Sequence, residues 1–484
     1  MAELSGSQST AVERLAAWIV ALRAEDLSAA TLEQAKLVLL DTLGCGFAAL
    51  ADDCARAVLA TLDALGDRPD CTVLGQPRRM SAPNAVLANG TLVRVLDLND
   101  YVVGAHPLSG ARGGHPSDNI PVALAAAELA GSCGRDLLAA IVLGYEIYGR
   151  GKALMDEGSV WDGISVSGLA APAMAGRLMG LPQDQLAHAI ALGAARAPTP
   201  VAVREGGISA AKSIANALIA QSGMQAALLA ARGVTGPLDL FEAERGLKAV
   251  FSRGCAGDIL AAPLLAETFM TRVALKAYPC FAGGQSAVAA GIALHRHIGG
   301  DMGRFTSKIR VALADLPLVH RQLADPGRIA PRSREAADHS LHFLIAVSLI
   351  DGAFGLRQFD NERWNDAAVR ALMARLEMTT DADLTRRAAA FGDAYPCALH
   401  AAGPDGTPYD VEILAPPGFS PGRIDAGTVL DKFNAVTASH LDSAARERVI
   451  AAVMGLDTAR SCAGLMRSLM PAATGLAAFG LARQ

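Results

Sequence analysis

Hydrophobic residues recur with helical spacing along most of the first 270 residues. Apolar positions three and four apart fall on one face of a helix, and Gly, Pro and Asp divide one helix from the next. The pattern therefore predicts that this part of the chain is helical throughout. The predicted helices lie at 11–23, 30–50, 54–65, 82–96, 119–131, 135–150, 166–179, 184–196, 210–232 and 258–267.

The pattern changes after residue 270. Residues 272–279, 307–313 and 409–414 alternate between apolar and polar, as strands do. Helical spacing continues between them near 284–297, 338–352 and 363–376, and it returns from about 425. The sequence predicts a mainly α fold: a large all-helical domain (1–269), an inserted smaller α+β domain (270–419), and a helical C-terminal return to the large domain (420–484).

Composition narrows the functional classes. The chain has 484 residues, of which 51% are hydrophobic and 19% charged, with a net charge of -5. Such a length allows at least two domains, and the charge gives no argument for nucleic acid or an anionic membrane as partner. No apolar run gives about 18 uninterrupted residues, and the first residues, MAELSGSQ, lack signal-peptide order. A cytoplasmic protein is expected.

Eight cysteines are widely scattered and form no CxxC pair. Disulfide frameworks and zinc ribbons need tighter spacing, so reduced and mostly buried thiols are expected. Cys280 stands apart because it lies in a site-like loop.

Two neighbouring segments combine acids, a histidine and glycines. LDLNDY at 96–101 follows a predicted helix, so Asp97 and Asp100 emerge near its end, and GGHPSDNIP at 113–121 leads into the next helix. His115 then lies just outside a helix N-terminus, where free N–H groups attract carboxylates. The two segments predict an anion site with its own proton-transfer group, or merely a loop and a helix cap. Further candidate residues here are Tyr101, Ser117 or Asp118 as the cap, and His106 and Arg112 in the intervening loop.

Other candidates lie where helices begin. Lys212 lies at the start of the long apolar helix predicted at 210–232, whose positive end favours carboxylate binding, although a surface lysine is the alternative. Lys276, Tyr278 and Gln285 surround the glycine-rich turn at 276–285, which can equally be a plain strand-to-helix turn. His339 and His342 share one helix face, but two ligands without a third give little reason to expect a metal.

These motifs resemble the MmgE/PrpD family, which includes 2-methylcitrate dehydratases and cis-aconitate decarboxylases. The similarity is spread over nearly the whole chain, and the LDLND and HPSDN pair resembles the dehydratase branch more than the decarboxylases. The matching segments are LLDTLGC (39–45), NGTLVRVLDLND (89–100), HPSDNI (115–120), GYEI (144–147), the Lys212 region, YP (278–279) and ADHSL (337–341).

The resemblance implies a cofactor-free enzyme with a helical domain and a smaller lid domain, usually a homodimer, acting on di- or tricarboxylic acids. Asp97, His115, Lys212 and Lys276 fall on positions that the family uses in its active site. In this interpretation the two lysines hold carboxylates. His115 transfers a proton and Asp97 orients it.

The chain also departs from the family pattern. Tyr101 replaces a usual threonine, Gly163 lies in a segment (161–168) that commonly carries a histidine, and Gly283 or Gly284 replaces a histidine of the dehydratase branch. Either His106 takes over the role of a missing histidine, or the reaction is not the one for which the dehydratase branch is named. Three hypotheses remain: a hydro-lyase on a 2-methylcitrate-like hydroxy acid, a decarboxylase or epimerase, and a non-catalytic binder of a carboxylate or partner.

Overall fold

The structure is a computed structural model that describes residues 9–103, 113–155, 159–247, 256–264, 268–305, 308–392, 394–417 and 424–471. His106 and Arg112 lie outside the described residues. The α-helices before residue 270 are α1 (Ala11–Ala21), α2 (Ala29–Ala48), α3 (Asp53–Leu65), α4 (Ala82–Arg94), α5 (Ile120–Ala130), α6 (Gly134–Ala153), α7 (Ser167–Leu178), α8 (Gln183–Ala195), α9 (Ala211–Ala230) and α10 (Ala256–Leu260).

The predicted mainly α fold is confirmed, and each of the ten helical segments predicted before residue 270 corresponds to one of these helices. Local sequence explains the ends. Ser28 accepts a hydrogen bond from the Thr31 N–H at the start of α2, and Asp52 caps α3 in the same way. Gly131 ends α5 in the left-handed conformation that glycine adopts without strain. Only α10 is clearly shorter than predicted.

Helix α2 is buried on nearly all sides and forms the centre of the largest core. It packs against α4, α6 and α18 (Ala426–Thr437). Helices α18, α19 (Ser443–Met454) and α20 (Ala463–Ser468) share this core with the first part of the chain. Among the described residues, none of the helices combines the length and apolar character needed to cross a membrane.

The part between residues 280 and 401 has a separate hydrophobic core. Its sheet has the strand order β6-β5-β7-β8, in which β5 and β6 are parallel and the other pairs antiparallel. The strands are β5 (Ile309–Ala314), β6 (Leu376–Asp381), β7 (Cys397–Ala402) and β8 (Pro408–Ile413), and the helices are α11 (Gln285–His297), α12 (Pro317–Ala324), α13 (Pro326–Ile329), α14 (Arg334–Ala337), α15 (Leu341–Asp351), α16 (Ala367–Met373) and α17 (Ala382–Ala388).

Short strand pairs complete the described structure. β1 (Cys71–Thr72) pairs with β2 (Arg79–Met80), and β3 (Tyr101–Val102) pairs with β4 (Val273–Ala274). The predicted strand at 272–279 is thus only two residues long. Pairing of Tyr101 with Ala274 brings the acids after α4 next to Lys276, which joins the two halves of the candidate site.

Candidate functional site

A cleft of about 820 Å³ lies where the helical part meets the α+β part. Tyr101, His115 and Gly163 line it from the helical side, and Phe281 and His339 line it from the α+β side. The sequence-predicted residues therefore reach one cleft from both parts of the chain. Helices α6 and α12 contribute to the lining together with the segments between elements.

Asp97 is the centre of a buried ion-pair cluster behind this cleft. It follows α4 with a φ of 50° and is 1% exposed. One carboxylate oxygen accepts from Arg94 at 2.5 Å, and the other accepts from the Lys212 ammonium at 2.9 Å. Lys276 donates to the carboxylate and, at 3.0 Å, to the backbone carbonyl of Asp97. Burial alone would raise the pKa of Asp97, but the three cations hold it well below its usual range.

His339 forms a second part of the site through its neighbour Asp338. The ring donates from Nδ1 to the Asp338 carboxylate, since a carboxylate only accepts, and this leaves a lone pair on Nε2. Lys212 lies 3.4 Å from both Asp338 oxygens, and Phe281 stacks on the ring at 5.3 Å. Burial, reinforced by Lys212, lowers the pKa of His339 to about 4. The imidazole is therefore neutral at pH 7.

His115 is held by a backbone carbonyl. Its Nδ1 lies 2.5 Å from the carbonyl oxygen of Asp100, so Nδ1 carries the proton and Nε2 carries the lone pair. Burial, together with Arg94 and Lys276, holds the pKa of His115 well below its usual range. A neutral imidazole with a free ring nitrogen thus lines the cleft. Asp97 was expected to orient this ring, but the described contact is with Asp100.

The 3₁₀ turn Pro116–Asn119 connects His115 to α5. Ser117 was predicted as a possible helix cap, but its hydroxyl donates to the Asp100 carboxylate at 2.5 Å. Asp118, the other candidate cap, accepts from Asn99 at 2.7 Å. The cap prediction is wrong because the side chains are used to fix the acidic segment after α4. Pro121 lies in the first turn of α5, where proline is tolerated.

Asp100, whose backbone carbonyl contacts His115, differs from Asp97 in the direction in which its pKa is shifted. Tyr145 donates to its carboxylate at 2.7 Å, beside the bond from Ser117. Burial raises the pKa of Asp100 to about 7, although these two hydroxyl donors oppose the shift. Two acids three residues apart are therefore pushed in opposite directions, because only Asp97 is surrounded by cations.

Several predicted site residues take other positions. Lys212 and Lys276 are at most 2% exposed and bind Asp97, so they lie behind the cleft instead of lining it. The carboxamide of Gln285 accepts from two backbone N–H groups and donates to the Tyr278 carbonyl, which makes it a brace of the loop. The Tyr278 ring packs edge-on against Phe354.

Sequence reasoning missed other residues of the site. Arg94 was overlooked, although its spacing of three residues before Asp97 on the end of α4 offered a signal. Asp338 gave a weaker signal as the neighbour of His339. Nothing local in the sequence indicates Lys152, Arg204 or Gln322, which reach the cleft from distant elements.

Asp97, Asp338 and His339 place three possible metal-ligand atoms within 4.8 Å of one another. The sequence did not indicate that the distant Asp97 carboxylate lies close to His339. The same oxygens already accept from ammonium and guanidinium groups, however. The charges therefore favour an ion-pair cluster over a cation site, and the expectation of no metal stays a prediction.

Family models match most of the chain. The MmgE/PrpD N-terminal domain matches residues 13–257, and the MmgE/PrpD C-terminal domain matches residues 278–457. The chain belongs to the MmgE/PrpD family. The resemblance found in the sequence motifs is thereby confirmed.

Relatives of this MmgE/PrpD chain are named for two activities. A cis-aconitate decarboxylase-like protein of Aspergillus oryzae is 24% identical, with 96% of this chain and 98% of the relative covered. The cis-aconitate decarboxylase of Mus musculus is 24% identical over 94% and 93%. A 2-methylcitrate dehydratase of Cupriavidus necator is 26% identical over 75% and 76%. These sequence identities are nearly equal, so they do not distinguish between the two activities.

Proposed function

We propose that this family member is a cofactor-independent lyase acting on a di- or tricarboxylic acid, most like dehydration of a 2-methylcitrate-type hydroxy acid. The observation that carries the proposal is His115: a neutral imidazole whose Nε2 lone pair is available at the cleft. Such a group can remove a proton from a carbon next to a carboxylate.

Charge supports an acidic substrate. Among the described residues, the cleft lining has four cations, Lys152, Arg204, Arg321 and Arg328, against three acids, Asp162, Glu205 and Asp325. Cations at a cleft attract carboxylates and favour the negative charge that develops when the carbon loses its proton. The buried cations behind one wall are matched in number by Asp97, Asp118 and Asp338, so in this proposal Lys212 and Lys276 act by keeping Asp97 in place.

Dehydration also needs a proton donor for the departing hydroxyl. We assign this step to His339, which lines the same cleft and is supported by Asp338. Bound substrate carboxylates add negative charge beside the ring, and nearby negative charge favours the imidazolium form. Tyr101 lines the cleft from the helical side, beside His115. His106, an alternative donor in sequence terms, falls outside the described residues.

Decarboxylation is the second candidate function, because relatives covering nearly the whole chain are named cis-aconitate decarboxylases. An epimerase and a non-catalytic binder are the further alternatives. Proton NMR in deuterated water with 2-methylcitrate, citrate and cis-aconitate distinguishes them. New alkene from a hydroxy acid supports dehydration, loss of carbon dioxide supports decarboxylation, deuterium exchange alone supports epimerisation, and unchanged acids contradict all three reactions.

The role of His115 is tested by His115→Gln on the acid that reacts. Removal of the base should lower kcat by about 10²- to 10⁴-fold, since this is the usual contribution of a positioned general base. His342→Gln is the matched control, because that imidazole lies in α15 and not among the cleft residues. Equal kcat values for His115→Gln and the unsubstituted enzyme would exclude His115 as the base.

The remaining expectations are proposals of the same kind. We propose a cytoplasmic homodimer in which the part at 270–419 is a lid on the helical parts at 1–269 and 420–484. The separate core between residues 280 and 401, and the cleft at its border, support this division. Light scattering of the purified protein tests the dimer.

A further inference from the structure

Lys152 is a cleft residue that the reaction proposed above does not use. It lies in the last turn of α6, four residues after Tyr148, whose hydroxyl accepts from the His115 N–H at 3.4 Å. Residues four apart lie on the same helix face, about 6 Å from each other. Lys152 is partly exposed and lines the cleft one helical turn beyond Tyr148.

Gly163 provides the space for this lysine. A Cβ atom on Gly163 would stand 2.6 Å from the Lys152 Nζ and 3.3 Å from its Cδ. Real Cβ atoms do not approach other atoms so closely, so any other residue at 163 would push the ammonium group aside. The carboxylate of Asp162, which precedes the glycine, favours the charged form of Lys152 through its own charge. That carboxylate is ion-paired with Arg204 at 2.5 Å.

The other partly buried cations of the cleft are occupied. Arg204 pairs with Asp162, and Arg328 pairs with Asp325 at 3.2 Å and donates to a backbone carbonyl. Within the part of the chain that the structure describes, the Lys152 ammonium makes neither a hydrogen bond nor an ion pair. Burial lowers the pKa of Lys152, which is the penalty expected of a cation that lacks a close anion.

We infer that Lys152 binds a carboxylate of the substrate that lies beyond the carbon deprotonated by His115. Tyr148 connects the two residues, because its hydroxyl accepts from the His115 N–H and Lys152 follows it one helical turn later, and the unpaired ammonium supplies the charge. Gly163 keeps the ammonium in the cleft. This inference rests on the proposed function, because it requires an acidic substrate with its reacting carbon at His115.

Calorimetric titration with propane-1,2,3-tricarboxylate tests the inference without turnover, because this acid has neither a hydroxyl to lose nor a double bond. Lys152→Met should weaken its binding by about ten- to a hundredfold, the usual range for a hydrogen bond to a charged group. Lys152→Arg should recover part of the loss. Gly163→Ala should weaken binding without touching the lysine, and it remains informative if Lys152→Met folds poorly.

Matched controls are Lys308→Met, at an exposed lysine on the far sheet, and Gly464→Ala, where a Cβ meets nothing within 4 Å. On the reacting acid, Lys152→Met should raise KM far more than it lowers kcat. If the enzyme binds the tricarboxylate and Lys152→Met binds it equally well, the inference is overturned and the proposed function stands. If the unsubstituted enzyme does not bind it, the substrate class itself is wrong and the inference fails with it.

Discussion

Asp97 combines an unusual backbone conformation with an unusual charge environment. Its φ of 50° lies in the left-handed region, which Asp and Asn adopt more readily than other non-glycine residues. This turn aims the carboxylate back at Arg94 and toward two lysines from elements more than 100 residues away. Burying a charge costs free energy because it loses its contact with water. The combined attraction of three cations offsets this cost for Asp97, which a single cation would not do.

Asp100 gives a pH dependence of stability that can be isolated. Burial raises its folded-state pKa from 3.8 to about 7, so the folded protein binds more protons than the unfolded chain between these values. Stability from this group is therefore present below about pH 4 and is lost as pH rises to 7, by about 1.4 kcal/mol per pH unit. Asp100→Asn should abolish that slope, as measured by urea unfolding at successive pH values.

His115 also contributes to the pH dependence of stability, so the effect of Asp100 must be measured as a difference between the unsubstituted protein and Asp100→Asn. Its lowered pKa makes folding stability rise with pH in the acidic range, the opposite sign to Asp100. Subtracting the Asp100→Asn curve from that of the unsubstituted protein removes this contribution, because the His115 ring is bound to the backbone of residue 100 and not to its side chain. A difference that stays flat from pH 4 to 7 would contradict the assigned pKa.

Sequence reasoning found several site residues but not their partners. Asp97, His115 and Lys212 could be singled out because they lie near helix ends, where free N–H groups attract carboxylates, and because they fall in motifs that resemble the family. Their pairing depends on side chains 115 to 179 residues apart, which no local spacing encodes. Gln285 shows the opposite error, since a polar residue in a glycine-rich turn can simply brace that turn.

At the scale of elements, close helix packing relies on small residues. Gly223 in α9 lies against Ala171 and Pro172 of α7, where a Cβ would stand 2.6 Å from the Ala171 Cβ. The Pro172 ring sits inside α7, where it leaves one backbone carbonyl of the helix without its usual donor. The two features coincide, so this close approach of α9 to α7 lies beside the proline.

Gly223→Ala tests this packing. The added methyl meets backbone-linked atoms, including the Pro172 nitrogen at 3.1 Å, which cannot rotate away. We expect a loss of about 1–3 kcal/mol in the free energy of unfolding, the usual cost of overpacking, despite the higher helix propensity of alanine. Urea unfolding measures it, with Gly464→Ala as control. A stabilised Gly223→Ala protein would show that the helices can separate at low cost.

Helices were predicted more completely than strands for a physical reason. A helix of 11 to 20 residues repeats its apolar spacing several times, so α2 and α9 are visible in the sequence alone. Strand β7 reads CALHAA and is buried at most positions, so it shows no alternation. Strand β6 pairs in parallel with β5, from which it is separated by a long stretch of chain. The register of β6 therefore depends on a distant partner.

At the scale of the whole molecule, one buried ion pair joins the C-terminal return to the start of the chain. Lys432 of α18 lies 2.6 Å from Asp41 of α2, and it donates to the Leu98 carbonyl at 2.9 Å. Asp41 has no exposed side-chain surface, and burial raises its pKa despite the lysine. The same lysine thus fixes the returning helix and the segment that carries Asp97.

Lys432→Met should lower the free energy of unfolding by about 3–5 kcal/mol, because it leaves the Asp41 carboxylate buried without a partner. Lys308→Met, at an exposed pair with Glu377, should cost at most about 1 kcal/mol. Combining Lys432→Met with Asp41→Asn should recover much of the loss, since no uncompensated charge is then buried. Urea unfolding of the single and double variants gives the coupling between the two residues. Additive losses would mean that α18 is held by its apolar face alone, through residues such as Phe433, and that the ion pair contributes nothing to the docking of the C-terminal return.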